Sequence, residues 1–372
     1  MWVQMQPAYC TRRERLLERL DCQGIKRAVI TDPLNILYFT GIRVVPYERL
    51  YALVLYQSGD ICHFVLPVLD RGVTEEPGIE KVLYEDTMDP VRVLADLVGT
   101  GTALGVDTDY FPLSLGERIR DFTGPVHLKD ISAAIRSLRL YKDDTEIQLI
   151  RTAVSYGDMI FDEIRQEIVA GRTERELLCD IFRAMCNKKG VISDTYVIQI
   201  LSGERSANPH GHSGDRRFIK GDTVTIDFGV CYSHYWSDLT RTFFLGNANS
   251  RLDTIYKTVL EAQVVAIERV KPGVPVREVD LAARNVIRKA GYGDSFLHRT
   301  GHGIGLDIHE YPKVHSENNE VLQEGMVFTV EPGIYLPGLG GVRIEDDVVV
   351  TRNGAAVLSG FSKGYQEMVI SP

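Results

Sequence analysis

The segment 222–230, DTVTIDFGV, sets Val224, Ile226, Phe228 and Val230 on one face at period two, with Thr223, Thr225 and Asp227 on the other. The same division recurs three times. WSDLTRTFF opposes Leu239 and Phe243 to Asp238, Thr240 and Thr242; MVFTVEPGIY opposes Met326, Phe328 and Val330 to Thr329 and Glu331; GVRIEDDVVV opposes Val342 and Ile344 to Arg343 and Glu345. A solvated face would explain any one of these strands. Four together, each carboxylate flanked by β-branched and aromatic residues as at the centre of a sheet, predict semi-buried acids that need cations nearby.

Histidine completes the donor set. FLHRTGHGIGLDIHEYP holds His298, His302 and His309, three of the nine histidines in the chain. His298 and His302 are spaced as a helical pair, but Gly301, Gly303 and Gly305 break a helix and predict a loop in which the backbone approaches a metal or substrate closely. His302 is the expected ligand. GHGIG lacks the lysine and the strand-to-helix setting of a phosphate-binding loop. Two Asp, two Glu and one neutral His carry a charge of −4, which two divalent cations would neutralise. Such hard donors suit Mn²⁺, Co²⁺ or Zn²⁺, and a two-metal centre that generates a hydroxide nucleophile is the natural chemistry for them.

Composition narrows the classes further. The 372 residues suit two domains, and a net charge of −9 argues against nucleic acid or an anionic membrane as the main partner. Cys10, Cys22, Cys62, Cys179, Cys186 and Cys231 form no CxxC or CxxH pair, so reduced and mostly buried thiols are expected, neither a disulfide framework nor a thiolate zinc site. Without an apolar leader or a membrane-length apolar run, the expected compartment is the cytoplasm.

Strand and helix patterns alternate up to about residue 130 and predict a small α/β domain, 1–139. The charged turn LYKDD marks the boundary with a second domain, 140–372. There a long amphipathic helix carries Ile147, Ile150, Val154, Met159, Ile160 and Ile164 and ends at Gly171; further helices are predicted at 174–188, 252–270 and 276–290. Paired strands are predicted at 223–245, 326–335 and 341–351, so that helices followed by paired strands occur twice. The aromatic run CYSHYW between Asp227 and Asp238 has no role that the sequence explains.

PHG, DFGVCYSHYWSDLTRTF, HRTGHGIGLDIHE, VEPGIY and GVRIEDDVVV, in that order, resemble the catalytic domain of the pita-bread-fold metallopeptidases. That group includes Xaa-Pro dipeptidases, aminopeptidase P, methionine aminopeptidases and the metal-free creatinase. TDPLNILYFTGI resembles the creatinase-type N-terminal domain of the proline-specific members. The resemblance implies an α+β chain with a pita-bread C-terminal domain behind a smaller α/β domain. It implies two divalent metal ions, manganese first, on Asp227, Asp238, His302, Glu331 and Glu345, with Asp238 and Glu345 bridging. His210 and His309 match substrate-contacting histidines, and His298 and Arg343 match outer positions of the proline-specific branch. Arg343 is expected to orient Glu345 or to serve only in a salt bridge, and Glu331 to double as general base. The expected substrate is a small peptide with proline second, most simply an Xaa-Pro dipeptide, cleaved by a homodimer. Aminopeptidase P action on longer peptides is the main alternative, and methionine aminopeptidase or a non-catalytic peptide-binding relative lie further off.

Overall fold

The stretch TDPLNILYFTGI folds as its residues dictate. Asp32 caps a helix over Pro33–Thr40, its carboxylate accepting the N–H groups of Leu34 and Asn35, while Pro33 fills a first-turn position that needs no donor. Gly41 closes the helix at φ 72°, in the left-handed region, and donates to the Leu37 carbonyl.

The computed structural model describes residues 2–57, 61–73, 77–101, 103–193, 197–246 and 249–371, and the chain divides into two units, Met1–Arg139 and Leu140–Pro372. The first unit runs α1 (Trp2–Asp21), β1 (Arg27–Ile30), α2 (Pro33–Thr40), β2 (Ala52–Tyr56), β3 (Cys62–Pro67), β4 (Ile79–Tyr84), α3 (Pro90–Val98), β5 (Ala103–Val106), α4 (Leu113–Thr123), β6 (His127–Asp130) and α5 (Ser132–Arg139). Among the described residues its strands form one mixed sheet in the order β4-β3-β2-β1-β5-β6. Val29, Val54 and Leu104 from the sheet pack with Leu94 of α3 and Ile119 of α4. Each such buried side chain contributes about 1.5–3 kcal/mol.

The second unit begins with α6 (Asp144–Ile164) and α7 (Glu174–Cys186), then β7 (Val197–Ser202), β8 (Thr223–Gly229), β9 (Cys231–Tyr232), β10 (Tyr235–Trp236) and β11 (Leu239–Leu245). It continues with α8 (Ser250–Glu268), α9 (Val276–Lys289), β12 (Gly301–Gly303), β13 (Glu310–Val314), β14 (Val327–Val330), β15 (Gly333–Leu336), β16 (Gly340–Arg343), β17 (Asp346–Thr351), β18 (Gly354–Val357), α10 (Tyr365–Met368) and β19 (Val369–Ile370). Among the described residues the larger sheets run β19-β11-β8-β7 and β13-β12-β14-β17-β18, with β15-β16 as a separate pair.

The aliphatic face of β8 and β11 lies against α6. A Cβ at Gly157 would come within 2.7 Å of Leu239, so the helix rests directly on the sheet, and Phe161 meets Phe228 with ring centroids 4.7 Å apart. The opposite face is buried too. Thr225 and Thr242 exchange a hydroxyl hydrogen bond of 3.2 Å, and Thr242 donates to the Arg343 carbonyl. The face carrying the acids is therefore the interior of the unit.

Several sequence expectations are corrected. The long strands over 326–335 and 341–351 are each two strands, broken at Glu331-Pro332 and at Ile344-Glu345, where the chain passes from one sheet to another. The long helix ends at Ile164, passes into a 3₁₀ turn and does not reach Gly171; Met159 is exposed. Cys22, Cys179 and Cys186 are exposed thiols, and only Cys62 and Cys231 are buried. CYSHYW forms the β9-β10 hairpin, with Ser233 and His234 both at positive φ as a two-residue turn of this kind requires. Its aromatics have partners: Tyr235 donates its hydroxyl to Glu146 at 2.8 Å, and Tyr232 sits edge-on to Tyr156.

Candidate metal centre

His302 lies in β12, a short strand inside a sheet, where the sequence predicts a loop. The glycines make that strand possible: a Cβ at Gly301 would strike the Thr329 carbonyl, and one at Gly303 the Tyr311 carbonyl. The Nδ1 of His302 lies 3.0 Å from the Gly303 carbonyl and must donate to it. Burial, and then the neighbouring His309, push this imidazole down to about 3, so it is neutral and its Nε2 keeps a free lone pair. That lone pair lies 3.6 Å from Asp238 Oδ2 and 3.4 Å from Glu331 Oε1.

Asp238, His302 and Glu345 bring one donor atom each within 4.8 Å of one another, and all three residues are buried. Asp238 directly precedes β11; its N–H donates to Asp347 Oδ2 at 3.0 Å, while its own Oδ1 is buried without a hydrogen-bond partner. Glu345 sits at the junction of β16 and β17 and accepts the Thr240 hydroxyl at 2.6 Å. Glu331 follows β14, donates its N–H to the Thr300 carbonyl and accepts the Thr329 hydroxyl at 3.1 Å. Burial raises all three acids, reinforced at Asp238 and Glu345 by neighbouring carboxylates, and Glu331 is pushed up to about 7. Crowded buried carboxylates, one orphaned oxygen and a neutral imidazole aimed at them fit divalent cations.

Asp227 stands apart from that triad. It lies on β8 between Gln199 of β7 and Thr240 of β11, half-buried, and is paired with the Arg343 guanidinium. Arg343 thus forms a salt bridge, one of the two roles expected of it, and its direct partner is Asp227, not Glu345. It reaches Glu345 only through Thr240, whose hydroxyl accepts from Nε at 3.1 Å. The strand breaks before Glu345, so the shared face expected of 343 and 345 does not exist.

From Arg343 a polar chain runs outward. Nη1 donates to the Tyr335 hydroxyl at 2.9 Å, and Tyr335 donates to His298 Nε2 at 2.8 Å, because His298 Nδ1 is committed to the Arg299 carbonyl. Burial holds His298 down to about 4 and lifts the Tyr335 phenol to about 12. Nη2 also donates to Gln199, which grips the carbonyls of Pro209 and Gly211 on either side of His210. His210 is exposed at this turn; His309 is exposed as well, its ring centroid 4.3 Å from that of His302. Gln199, Tyr335, Thr240 and Asp347 escaped sequence reasoning. Gln199 alone left a trace there, as a polar residue inside the apolar run VIQILS.

A buried multi-carboxylate centre on paired sheets, in a chain whose first unit is creatinase-type in sequence, defines a metallopeptidase of the pita-bread fold. The model of metallopeptidase family M24 matches residues 148–352, and that of the creatinase/prolidase N-terminal domain matches residues 12–141. The chain belongs to metallopeptidase family M24, a family of divalent-metal enzymes. It is 38% identical to the putative dipeptidase YkvY of Bacillus subtilis, over 95% of this chain and 98% of that protein. Among solved structures, the prolidase of Pyrococcus furiosus superposes with a TM-score of 0.83 at 36% identity, covering 93% of this chain and 99% of its own. The X-Pro aminopeptidase of Thermotoga maritima gives 0.84 at 31% identity, covering 96% and 99%. No helix among the described residues is long and apolar enough to cross a membrane.

Proposed function

We propose that this peptidase hydrolyses the bond between an N-terminal residue and proline in Xaa-Pro dipeptides. The observation that carries the reading is the buried Asp238, His302 and Glu345 triad in a chain aligned end to end with a prolidase. Two divalent ions on Asp227, Asp238, His302, Glu331 and Glu345, manganese first and cobalt or zinc next, would supply a hydroxide nucleophile near neutral pH and polarise the scissile carbonyl.

The chain's own groups do the rest. Glu331, set beside the centre, takes a proton from the nucleophile and passes it to the leaving imino nitrogen. Partial desolvation and then the charge of Arg299 lower His309, so its neutral ring offers one N–H to the developing oxyanion. His210, exposed at the turn that Gln199 holds, aligns the peptide. His298 and Arg343, joined through Tyr335, fix Asp227. A dipeptidase also needs a cation for the free carboxylate of proline. Arg299 supplies one: it is half-buried, its guanidinium has no hydrogen bond or ion pair among the described residues, and its charge is felt at His302, His309 and Glu331.

The likeness to the Thermotoga enzyme keeps aminopeptidase P action as the second reading. We assign the protein to the cytoplasm and to a homodimer on the family resemblance. The test is metal-stripped protein re-dosed with Mn²⁺, Co²⁺ or Zn²⁺ and offered Ala-Pro, Ala-Pro-Ala and Met-Ala-Ser in parallel. Metal-dependent cleavage of Ala-Pro alone is expected. Cleavage of Ala-Pro-Ala but not Ala-Pro would transfer the assignment to aminopeptidase P, and silence on all three with metal bound would leave a peptide-binding relative.

A further inference from the structure

The turn LYKDD reads in sequence as a boundary, yet Lys142 within it is buried and makes an ion pair with Glu310, Nζ to Oε2 3.2 Å, with side chains 1% and 7% exposed. Glu310 is the residue after His309. Its Oε1 accepts the Asp307 N–H at 3.0 Å, and a Cβ at Gly305 would lie 2.8 Å from its Oε2, so the loop 304–309 is wound tightly around this carboxylate. Gly305 N–H closes onto the Asp307 carbonyl, and the Gly305 carbonyl takes the Trp236 N–H at 2.8 Å. Lys142 is itself fixed: its N–H donates to the Gly325 carbonyl, and Gly325 N–H to the Val350 carbonyl on β17.

We propose that Lys142 and Glu310 are positioning residues, an internal strut that holds the His309 loop in register with the metal centre. The inference rests on reading His309 as the donor to the scissile carbonyl oxygen. An ion pair this deep is an expensive way to gain stability, because both charges lose their hydration, and replacing such a pair by neutral groups of similar volume is often harmless to folding. Its distinctive effect is geometric. The pair ties a glycine-rich loop to a backbone ladder on another strand, and a displacement of about 1 Å in a reacting group costs roughly 10²-fold in rate.

The test is K142M/E310Q, which keeps the volumes and the acceptor for Asp307 while removing both charges. On Ala-Pro with Mn²⁺, kcat should fall roughly 10–100-fold with KM and bound metal unchanged within about twofold. In an H309A background the same two changes should cost less than about threefold, because the strut acts through the histidine already removed. Full activity in K142M/E310Q while H309A is inactive overturns the strut alone. Full activity in H309A overturns the role of His309 instead. Equal losses in both backgrounds, or loss of metal, would make the pair a general stabiliser and refute the proposal. Should the double variant not fold, E310D, which shortens the reach by one methylene, carries the same comparison.

Discussion

Glu345, Asp346 and Asp347 are consecutive, and all three are buried, yet the protein treats them in opposite ways. Burial pushes Asp346 up, but Arg241 and Lys363 outweigh it and hold this carboxyl at about 2, helped by Ser359. Arg241 spends every guanidinium N–H here: on Asp346 and on the carbonyls of Thr240, Glu345, Phe361 and Ser362. Glu345 and Asp347 have no such cation of their own, and burial raises both; next to burial, Asp238 weighs most at Glu345. Equal burial thus gives a structural acid at Asp346 and, at Glu345, a member of the buried triad. The difference lies in fixed cations, supplied to Asp346 and left for mobile ones at the centre.

The comparison can be broken from either side. Asp238→Asn or Glu345→Gln should abolish metal-dependent turnover, by about 10³-fold or more, because a neutral amide cannot hold a divalent ion beside the remaining acids. The metal-stripped variant should melt no lower than metal-stripped wild type, since burial and the neighbouring acids already favour an uncharged group at both positions. A variant that kept both metals would refute the ligand assignment. Asp346→Asn should do the reverse. It leaves Arg241 buried without its partner and should cost about 3–5 kcal/mol in denaturant unfolding, with metal affinity little changed in the folded fraction. If Asp346→Asn were as stable as wild type but could not bind metal, the two acids would have exchanged roles.

A smaller effect is expected at Arg343, where the two kinds of acid meet, since Asp227 has a fixed cation and is also a proposed ligand. Arg343→Lys keeps the charge but loses the fork that reaches Tyr335, Gln199, Thr240 and Asp227 together. Roughly 10–100-fold is expected in metal affinity or kcat, read by titration of metal into the stripped protein. An unchanged affinity and kcat would reduce Arg343 to a salt bridge.

What the sequence made legible was the part of this arrangement that is local. Strand alternation is set by neighbouring residues, so the apolar faces of β8 and β11 and Asp227 opposite them follow from the pattern; Asp238, Glu331 and Glu345 lie just outside β11, β14 and β17, where alternation no longer fixes a side chain's direction. Partners more than a hundred residues away were not legible: Thr240 to Glu345, Asp238 to Asp347 and Arg343 to Asp227 depend on which strands cross. The same limit explains the broken strands. Nothing in GVRIEDDVVV says that the chain changes sheets at Ile344-Glu345, because that is decided by pairing with β15 on one side and β14 on the other.

The smallest effect is a pH dependence, and its sign separates the two kinds of acid. In metal-stripped protein Glu331 is raised from 4.5 to about 7, so between those values the folded state holds a proton that the unfolded chain has released. Its contribution is fully present below about pH 4.5 and is lost as pH rises through about 7. Asp346 runs the other way: its contribution is present above about 3.8 and is lost as pH falls through about 2. Between pH 5 and 7.5 Glu331 is opposed by His298 and His302, which burial holds down to about 4 and about 3, so that their cost is relieved as pH rises through about 6.5. The part due to Glu331 is therefore read as a difference: metal-stripped wild type should lose about 1–2 kcal/mol relative to metal-stripped Glu331→Gln as pH rises across that range, less than the full shift implies because the clustered carboxylates share protons. Thermal melts of both stripped proteins decide the matter, and a wild type that gained on the variant toward pH 7.5 would mean that Glu331 already has a fixed partner, as Asp346 does.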